Sequence, residues 1–386
     1  MEPRKICVIT GSRADYGYLA TLMGLVREDP RCELQAVATG MHLWPEFGDT
    51  WREIEADGFP LAARVAAPLD GAGAGDVART TGRLLEGFAD ALEELAPDFA
   101  VVLGDRYEIF AAAQACLFLR IPLAHLAGGD VTEGAYDEAM RHSITKMASL
   151  HFVTTPQAAR RVAQLGEDPA RIHCVGATSL DRLAALPLLS REELAAQLGF
   201  TFRGRNLLVT FHPVTLAATP SAAQMDELLA ALDDLAADGD TGILCTAPNA
   251  DTEGLDLLAR LTDYAASRPH VLMRASLGQL RYLSAVAACD AVVGNSSSGL
   301  YEVPSLKRPT VDIGERQEGR LRAGSVVHCA PERTAIRRAV ETALALDCSN
   351  VVNPYGDGRA SRRILDVLKA APDPRALVRK RFHDLP

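Results

Sequence analysis

The chain contains no long run of uncharged apolar residues, which excludes a helix that spans a bilayer. Such a helix needs roughly 18 consecutive apolar residues, and no stretch approaches that length. The N-terminus, Met1-Glu2-Pro3-Arg4-Lys5, leads at once into a short strand-like run and shows no signal-peptide core. We therefore expect a cytoplasmic protein without a membrane partner.

Cysteine pairs with metal-binding or redox spacing are also missing. The eight cysteines are widely spaced, include no CxxC pair and mostly lie within apolar runs. This distribution favours buried free thiols over disulfides or zinc ligands. The sequence thus predicts neither a disulfide framework nor a metal site.

Two further absences narrow the function. The formal net charge is −10, which argues against non-specific binding of nucleic acid. The loop after the first apolar run, Gly11-Ser12-Arg13-Ala14-Asp15-Tyr16-Gly17, is not the dinucleotide fingerprint GxGxxG, so a nicotinamide cofactor is not expected. Arg13 has the fork geometry to clamp a phosphate, and a surface pair with Asp15 is the alternative.

What the chain does contain is a regular alternation of short apolar runs and longer helical patterns. This alternation is typical of parallel sheets with helical crossovers. At 386 residues and 48% hydrophobic content, the chain is predicted to form two doubly wound α/β domains, with a break near residues 178–190. The strand-like runs are 6–10, 34–39, 99–103, 123–126 and 152–154, then 207–211, 243–246, 271–273, 291–293 and 310–313.

The most informative segment is Gly294-Asn295-Ser296-Ser297-Ser298-Gly299, which follows the run 291–293 directly. Small residues let backbone N–H groups approach an anion, hydroxyls add donors, and a following helix N-terminus favours negative charge, so phosphate is the expected guest. Glu302 is predicted to lie about a turn and a half inside that helix, where its carboxylate would accept hydrogen bonds from a ribose diol. A serine-rich turn with a helix cap is the alternative interpretation.

Acidic residues follow two strand-like runs of the first half. Asp105 comes after the run 99–103, and Asp130 follows Gly128-Gly129 behind the run 123–126. Ligands of doubly wound sheets bind outside the carboxyl ends of the strands, so these carboxylates are candidate bases or substrate anchors. An aspartate that caps a helix is the commoner use of this geometry.

A helix beginning at Asp137 would stack charged side chains within one turn. Asp137 and Arg141 would share a face at i,i+4, as would Glu138 and His142. Ordinary ion pairs on a solvated face are the alternative.

The second half repeats the pattern of polar residues at strand ends. His212 precedes a rigid Pro213, Asn249 follows the run 243–246, and Arg316 and Arg320 follow the run 310–313. These loops and the serine-rich loop are predicted to converge on one edge of a single sheet.

Taken in order, these motifs resemble those of the UDP-N-acetylglucosamine 2-epimerase family, and the nearest branch is the hydrolysing one that serves sialic acid-type biosynthesis. The segments that carry the resemblance are Gly11-Ser12-Arg13-Ala14-Asp15-Tyr16, Gly104-Asp105-Arg106, Gly128-Gly129-Asp130, Arg141-His142-Ser143-Ile144-Thr145-Lys146, His212-Pro213-Val214-Thr215, Gly294-Asn295-Ser296-Ser297, Gly314-Glu315-Arg316-Gln317 and Tyr355-Gly356-Asp357-Gly358.

The resemblance implies a fold of the glycosyltransferase-B type with a cleft between two Rossmann-like domains. The N-terminal domain would span 1–180, the UDP-binding domain 181–359, and a C-terminal helix, about 360–386, would pack back on the first domain. Relatives of the hydrolysing branch eliminate UDP to form a 2-acetamidoglucal and then add water, giving N-acetylmannosamine and UDP. The expected partners are a UDP-sugar and further copies of the chain in a homodimer or homotetramer, with no cofactor.

The resemblance also implies roles for individual residues. The candidates for the base at C2 are Asp105, Asp130 and Asp137, with His212 as a further catalytic candidate. The residues expected to bind the UDP-sugar are Arg13, Arg106, Arg141, His212, Asn249, Ser296, Ser297, Glu302 and Arg316. Arg320 is added because of its charge and its place in the same loop as Arg316.

One position departs from the family pattern. Many relatives carry a glutamate where this chain has Ala127, so Asp130 or Glu133 would take over its work, or the substrate differs. The smaller, less polar side chain at position 127 would suit a 2,4-diacetamido-2,4,6-trideoxyhexose of the legionaminic acid route.

Three alternative functions remain. They are a non-hydrolysing epimerase, a glycosyltransferase on the same fold and a nucleotide-sugar sensor without catalysis.

Overall fold

The apolar runs of the sequence form two parallel sheets in a computed structural model, which describes residues 2–45, 48–68, 74–131, 137–214, 219–248 and 254–385. The strands of the described residues are β1 (Arg4–Thr10), β2 (Cys32–Thr39), β3 (Leu61–Val65), β4 (Phe99–Leu103), β5 (Leu123–Leu126), β6 (Leu150–Val153), β7 (Ile172–Cys174), β8 (Arg205–Thr210), β9 (Thr241–Thr246), β10 (Val271–Arg274), β11 (Ala291–Gly294), β12 (Thr310–Ile313) and β13 (Val326–Cys329).

Helices connect most of these strands. They are α1 (Arg13–Glu28), α2 (Trp51–Ala56), α3 (Ala74–Leu95), α4 (Tyr107–Phe118), α5 (Asp137–Met147), α6 (Pro156–Gln164), α7 (Ser179–Ala185), α8 (Arg191–Leu198), α9 (Ser221–Leu235), α10 (Gly254–Ala266), α11 (Gly278–Ala288), α12 (Ser298–Tyr301), α13 (Arg333–Leu344) and α14 (Ala360–Ala370).

Every strand pair in the two sheets is parallel. The first sheet has the order β3-β2-β1-β4-β5-β6-β7 and the second has the order β10-β9-β8-β11-β12-β13. In each sheet the strand order reverses beside a central strand, at β1 and at β8, which creates the crevice where doubly wound sheets bind ligands. The predicted class, α/β with two doubly wound sheets, is confirmed.

Three strands, β3, β7 and β13, were not predicted from the sequence, and all three are sheet edges. Their residues are only partly covered, so none of them forms a continuous apolar run. An edge strand has a neighbour on one side only, and the sequence signal of a doubly covered strand is correspondingly weak there.

Side chains alternate between the two faces of a strand, and in the interior strands both sets of side chains are buried. In β1, Ile6 and Val8 belong to one apolar cluster, whereas Cys7 and Ile9 belong to the cluster on the opposite face. Helices cover both faces, and a strand buried in this way is apolar along most of its length.

The chain divides into two compact units, unit 1 with Met1–Ala184 and Tyr355–Pro386, and unit 2 with Ala185–Pro354. The chain therefore returns to unit 1 near its end, where α14 packs Ile364, Leu365 and Leu368 into the same apolar cluster as α1. The carboxylate of Asp181, which is buried, accepts hydrogen bonds from the backbone N–H groups of Ala360 at 2.8 Å and Ser361 at 2.5 Å. Asp181 thus caps α14 from a distant part of the chain.

All eight cysteines lie within the described residues as free thiols, as predicted, and seven of them are buried. Cys174 is exposed, which corrects the expectation for that position, because it belongs to the edge strand β7. Among the described helices, none combines the length and the apolar character needed to cross a membrane.

Replacement of Asp181 by alanine should destabilise unit 1, because two N–H groups at the start of α14 would lose their buried acceptor. The expected loss in the free energy of unfolding is about 1–2 kcal/mol. Urea denaturation followed by circular dichroism measures it. The matched control is Asp366→Ala in the same helix, which removes an exposed carboxylate paired with Lys369 and should cost well under about 1 kcal/mol. Equal losses in the two variants would contradict the capping role of Asp181.

Candidate active site

Three aspartates of unit 1 lie at the carboxyl edge of the first sheet, on loops that follow neighbouring strands. Asp105 follows β4, Asp130 follows β5, and Asp137 begins α5, as the sequence predicted. Because β4 and β5 are adjacent and parallel, their ends bring these loops together.

Arg141 of α5 joins two of the three loops. Its side chain is buried, donates to the Asp105 carboxylate and also donates to the backbone carbonyl of Asp130 at 2.7 Å. The Asp130 carboxylate accepts a hydrogen bond from the Thr154 hydroxyl at 2.9 Å. The predicted ion-pair face of α5 is therefore turned toward the sheet edge, where Arg141 fixes the acidic loops.

Asp137 lies in the electrostatic field of this cluster. Partial burial raises the pKa of its carboxyl group, and the neighbouring carboxylate of Asp105 raises it further, while Arg106 and Arg141 partly oppose the rise. A carboxylate with a raised pKa is a stronger base than a free aspartate. The partly buried pair of Glu138 and His142, 3.5 Å apart, belongs to the same helix.

Two glycines allow the loop after β5 to reach its position. A Cβ atom on Gly128 would lie 2.9 Å from the Thr145 hydroxyl, and one on Gly129, where φ is +78°, would lie 2.4 Å from the carbonyl oxygen of Ala158. Ala127 itself adopts φ +62°, a left-handed conformation that is unusual for a residue with a side chain. The departure from the family pattern at Ala127 therefore falls on a tightly packed turn that delivers Asp130.

His125 is a positioning residue whose role the sequence analysis missed. The imidazole is fully buried, with Nε2 2.8 Å from the carbonyl of Gly104 and Nδ1 3.1 Å from the Thr145 hydroxyl. Burial lowers its pKa to about 3, so the ring is neutral and donates from Nε2 to Gly104. It thereby ties the Asp105 loop to α5. The only feature of the sequence that could have indicated this role was the presence of a histidine inside an otherwise apolar strand.

The predicted ligand arginines of unit 1 have different environments. Arg106 is partly buried and lies 2.5 Å from the Glu108 carboxylate, which is itself buried against Gly11 and Gly40. Arg13 begins α1 and is largely exposed, paired with Glu53 at 3.1 Å rather than with Asp15. Arg13 thus lies at the carboxyl end of β1, and its guanidinium remains accessible to a ligand.

In unit 2 the candidate loops are held together by Asn295, a second residue whose role was missed. Its side chain accepts from the backbone N–H of His212 at 2.7 Å and donates to the His212 carbonyl at 2.8 Å. The Asn295 carbonyl accepts from Gln317 at 2.8 Å and from Arg316 at 3.2 Å. One buried asparagine therefore links the loops after β8, β11 and β12.

The serine-rich loop leaves β11 through Gly294, where φ is +142° and a Cβ atom would lie 1.9 Å from the carbonyl of Thr210. Only glycine permits this approach between β11 and β8. Beyond it, the side chain of Ser297 is exposed and that of Ser296 half-buried.

The helix after this loop is shorter than expected. α12 has four residues and is followed by a 3-10 helix at Val303–Leu306, so Glu302 lies at the end of α12 rather than a turn and a half inside a longer helix. Pro304 explains the difference, because proline lacks the N–H that continues an α-helix and disfavours the α conformation of the residue before it.

Glu302 nevertheless lies in a distinctive environment. Burial raises its pKa to about 7, while the nearby Ser298 hydroxyl partly opposes the rise. The Tyr282 hydroxyl lies close to Ser296, Ser298 and Thr210, and neither it nor the Ser298 hydroxyl makes a hydrogen bond of good geometry within the described residues. This set of hydroxyls around a half-ionised carboxyl group can exchange hydrogen bonds with a polar ligand.

Arg320, the last of the predicted arginines, lies on the loop after β12. Arg320 donates to the Gln317 side chain at 2.6 Å and lies 5.8 Å from the centre of the Tyr301 ring. Asn249 and Glu133 lie outside the described residues. No cluster of three or more potential metal ligands occurs in the part of the chain that the structure describes.

The fold and the loop arrangement define a class of proteins, those of the glycosyltransferase-B type. The crystal structure of UDP-GlcNAc 2-epimerase from Neisseria meningitidis, bound to UDP-GlcNAc, superposes with a TM-score of 0.77 at 18% identity, over 95% of this chain and 100% of that chain. At this identity the likeness shows the fold alone.

Sequence comparison identifies the family. The model of the family described as UDP-N-acetylglucosamine 2-epimerase matches residues 25–369. The chain is 36% identical to GDP/UDP-N,N'-diacetylbacillosamine 2-epimerase (hydrolyzing) of Campylobacter jejuni, over 85% of this chain and 84% of the relative. It is 33% identical to UDP-N,N'-diacetylbacillosamine 2-epimerase (hydrolyzing) of Legionella pneumophila, over 96% of both. The chain belongs to the UDP-N-acetylglucosamine 2-epimerase family, and the resemblance seen in the sequence is confirmed.

Replacement of Asn295 by aspartate should loosen the three loops of unit 2, since the carbonyl of His212 would lose its donor and meet a buried carboxyl group instead. The expected loss of stability is about 1–3 kcal/mol. Thermal unfolding followed by calorimetry measures it. The same substitution at the exposed Asn350 should leave the midpoint unchanged. An unchanged midpoint for Asn295→Asp would show that Asn295 does not hold these loops together.

Proposed function

We propose that this protein is a hydrolysing 2-epimerase that converts UDP-N-acetylglucosamine into N-acetylmannosamine and UDP. The observation that carries the proposal is the cluster of Asp105, Asp137 and Arg141 at the carboxyl edge of the first sheet, in a chain of the 2-epimerase family. The Campylobacter and Legionella relatives are both named as hydrolysing 2-epimerases, which supports the same reaction type.

The first step is the elimination of UDP. The hydrogen on C2 is not acidified by a carbonyl group, so its removal must be coupled to breaking of the bond between C1 and the UDP oxygen. A carboxylate takes the C2 proton, the C–H electron pair forms the C1=C2 double bond, and the C1–O electrons leave with UDP. Asp137, with its raised pKa, is suited to hold the proton, and Asp105 and Asp130 are the other candidates.

The second step adds water to the glycal. A carboxylic acid delivers a proton to the opposite face of C2, while a water molecule bonds through its oxygen to C1 and gives one proton to a carboxylate base. The product is free N-acetylmannosamine. The reaction thus needs one group that removes a proton from C2 and one that delivers a proton to C2. Two carboxyl groups in different environments can fill these base and acid roles, and Asp105 and Asp137 are such a pair. His212 is the further candidate for proton transfer in unit 2.

The loops of unit 2 are proposed to bind the nucleotide. Negative charge develops on the departing diphosphate, and N–H and hydroxyl donors at Ser296 and Ser297 would stabilise it. Arg13, Arg106, Arg141, Arg316 and Arg320 supply the cationic donors, and Asn249 is assigned to the neighbourhood of the nucleotide. Glu302 would accept hydrogen bonds from the ribose diol.

A second substrate is supported by two observations. The family resemblance implies that many relatives carry a glutamate where this chain has Ala127, and the Campylobacter and Legionella relatives are both named for N,N'-diacetylbacillosamine. The candidate is therefore a UDP-2,4-diacetamido-2,4,6-trideoxyhexose, whose 4-acetamido and 6-methyl groups are bulkier or less polar than the hydroxyls of N-acetylglucosamine.

Proton and carbon NMR in deuterated water tests the reaction directly. With the correct UDP-sugar, the released manno-configured sugar should be free and carry deuterium at C2, because its C2 proton comes from solvent. Parallel assays with UDP-N-acetylglucosamine and with the diacetamido sugar nucleotide identify the substrate by the larger kcat/KM. A nucleotide-bound manno product would indicate the non-hydrolysing reaction, UDP release only with an acceptor would indicate a glycosyltransferase, and binding without release would indicate a sensor.

In the same assay, Asp105→Asn, Asp130→Asn and Asp137→Asn are tested separately for glycal formation and for glycal hydration. Loss of the C2 base should lower the rate of elimination by about 10²- to 10⁴-fold. Glu138→Gln, one residue along the same helix, is the matched control and should retain near wild-type rates. If none of the three aspartate substitutions changed the rate of glycal formation or of glycal hydration, the carboxylate assignment would be wrong.

The pKa of Glu302 predicts the pH dependence of substrate binding. With a pKa of about 7 in the free protein, Glu302 is mostly protonated at pH 6 and mostly ionised at pH 8. The ionised form is the better acceptor for two hydroxyls, so affinity for the UDP-sugar should rise by up to about tenfold from pH 6 to pH 8. Calorimetric titration measures the affinity. It uses the Asp137→Asn variant, which is expected not to consume the UDP-sugar during the titration. Glu302→Gln in the same background should flatten the profile, and an unchanged slope would contradict the assignment.

A further inference from the structure

A polar pocket lies in unit 1, away from the carboxyl edge of the sheet that carries the aspartates. Its volume is about 270 Å³, near the lower end for small-molecule sites. The lining residues are Glu167, Asp168, Arg171, Arg379, Lys380 and Arg381. Asp168 and Arg171 precede β7, so the pocket lies toward the amino ends of the parallel strands, whereas the candidate active site follows their carboxyl ends.

The acidic residue at the base of the pocket is already neutralised. Glu167 is buried and accepts hydrogen bonds from Lys146 at 2.5 Å, Lys380 at 2.7 Å and His151 at 3.0 Å. Although burial by itself raises a carboxyl pKa, these donors lower the pKa of Glu167 to about 2. The negative charge of Glu167 is therefore balanced by protein cations, and it repels an anion in the pocket only weakly.

The C-terminal segment forms one wall of the pocket and is firmly attached. Arg171 donates to the carbonyls of Leu377 at 2.6 Å and Arg379 at 3.2 Å. The ring of Phe382 packs directly on Gly166, where an added Cβ atom would lie 2.3 Å from it, and the N–H of His383 donates to the Gly166 carbonyl at 3.0 Å. The wall is thus built before any ligand arrives.

Two cationic side chains of this wall are left without an acidic partner. Arg379 and Arg381 are exposed, and neither forms an ion pair with another described residue. The pocket therefore carries four cationic side chains against two acidic ones, in a chain whose net charge is −10. A local excess of guanidinium groups on an acidic protein is the chemistry that selects a compact anion and disfavours an extended polyanion.

We propose that this pocket binds the phosphate group of a small molecule. The planar forks of Arg379 and Arg381 match two oxygens of a phosphate, and Arg171 retains N–H groups beyond the two that hold the backbone. Inorganic phosphate and a phosphorylated metabolite share this chemistry. The site is independent of the nucleotide-binding role proposed for unit 2.

Isothermal titration with sodium phosphate, at an ionic strength held constant with sodium chloride, tests the proposal. Three variants separate the possible sites: Arg379→Gln/Arg381→Gln in this pocket, Ser296→Ala/Ser297→Ala in the proposed nucleotide loop, and Arg362→Gln/Arg375→Gln as a control for charge. The last pair removes two exposed arginines of the same C-terminal region that do not line the pocket. Unchanged thermal midpoints without phosphate establish that all variants are folded.

The pocket variant should bind phosphate at least about tenfold more weakly than the wild type, while the control pair and the serine pair keep a wild-type dissociation constant. Tighter binding of glucose 6-phosphate than of phosphate would identify a phosphorylated metabolite as the ligand, and equal binding would identify phosphate itself. Wild-type affinity in the pocket variant, or equal weakening in the control pair, would overturn the proposal. Loss of binding in the serine pair alone would place phosphate in the nucleotide loop instead.

Discussion

The parallel direction of the strands is the constraint on which the other features of this protein depend. Parallel strands covered by helices on both faces are largely apolar, as in β1, where Ile6 to Ile9 alternate between opposite apolar clusters. Most polar side chains that could meet a ligand therefore lie where a strand ends. Since neighbouring parallel strands end at the same edge, loops far apart in the sequence, such as those of His212 and Asn295, are forced to meet.

These loops are held in place by buried polar groups that hydrogen-bond to more than one loop. His125, neutral because it is buried, connects the Asp105 loop with α5, and Asn295 connects three loops of unit 2. In an interior of low polarity, such contacts are strong and unmade ones are costly, so they specify one loop arrangement. Helix α5 is fixed at both ends in this way: Arg141 donates to the acidic loops, and Lys146 pairs with the buried Glu167.

Much of the architecture was predictable from local sequence, and the exceptions have physical reasons. The run 99–103 forms β4 with identical bounds, because this interior strand has an unbroken apolar signal. The edge strands β3, β7 and β13 lack that signal since only part of each is covered. The short α12 was predictable in principle, because Pro304 stands two residues after Glu302. In the candidate site, the aspartates and serines were found because polar residues after apolar runs are conspicuous.

The sequence by itself determined the class of fold, the order of the two doubly wound sheets along the chain and the set of loops that carry polar residues, because these follow from periodicity and from residues adjacent along the chain. Only the tertiary structure decided which of those residues touch. The pairing of Arg141 with Asp105, the return of α14 to Asp181 and the environment that raises the pKa of Glu302 all join distant segments or depend on burial. Such contacts arise from packing of whole elements, and no local pattern of residues encodes them.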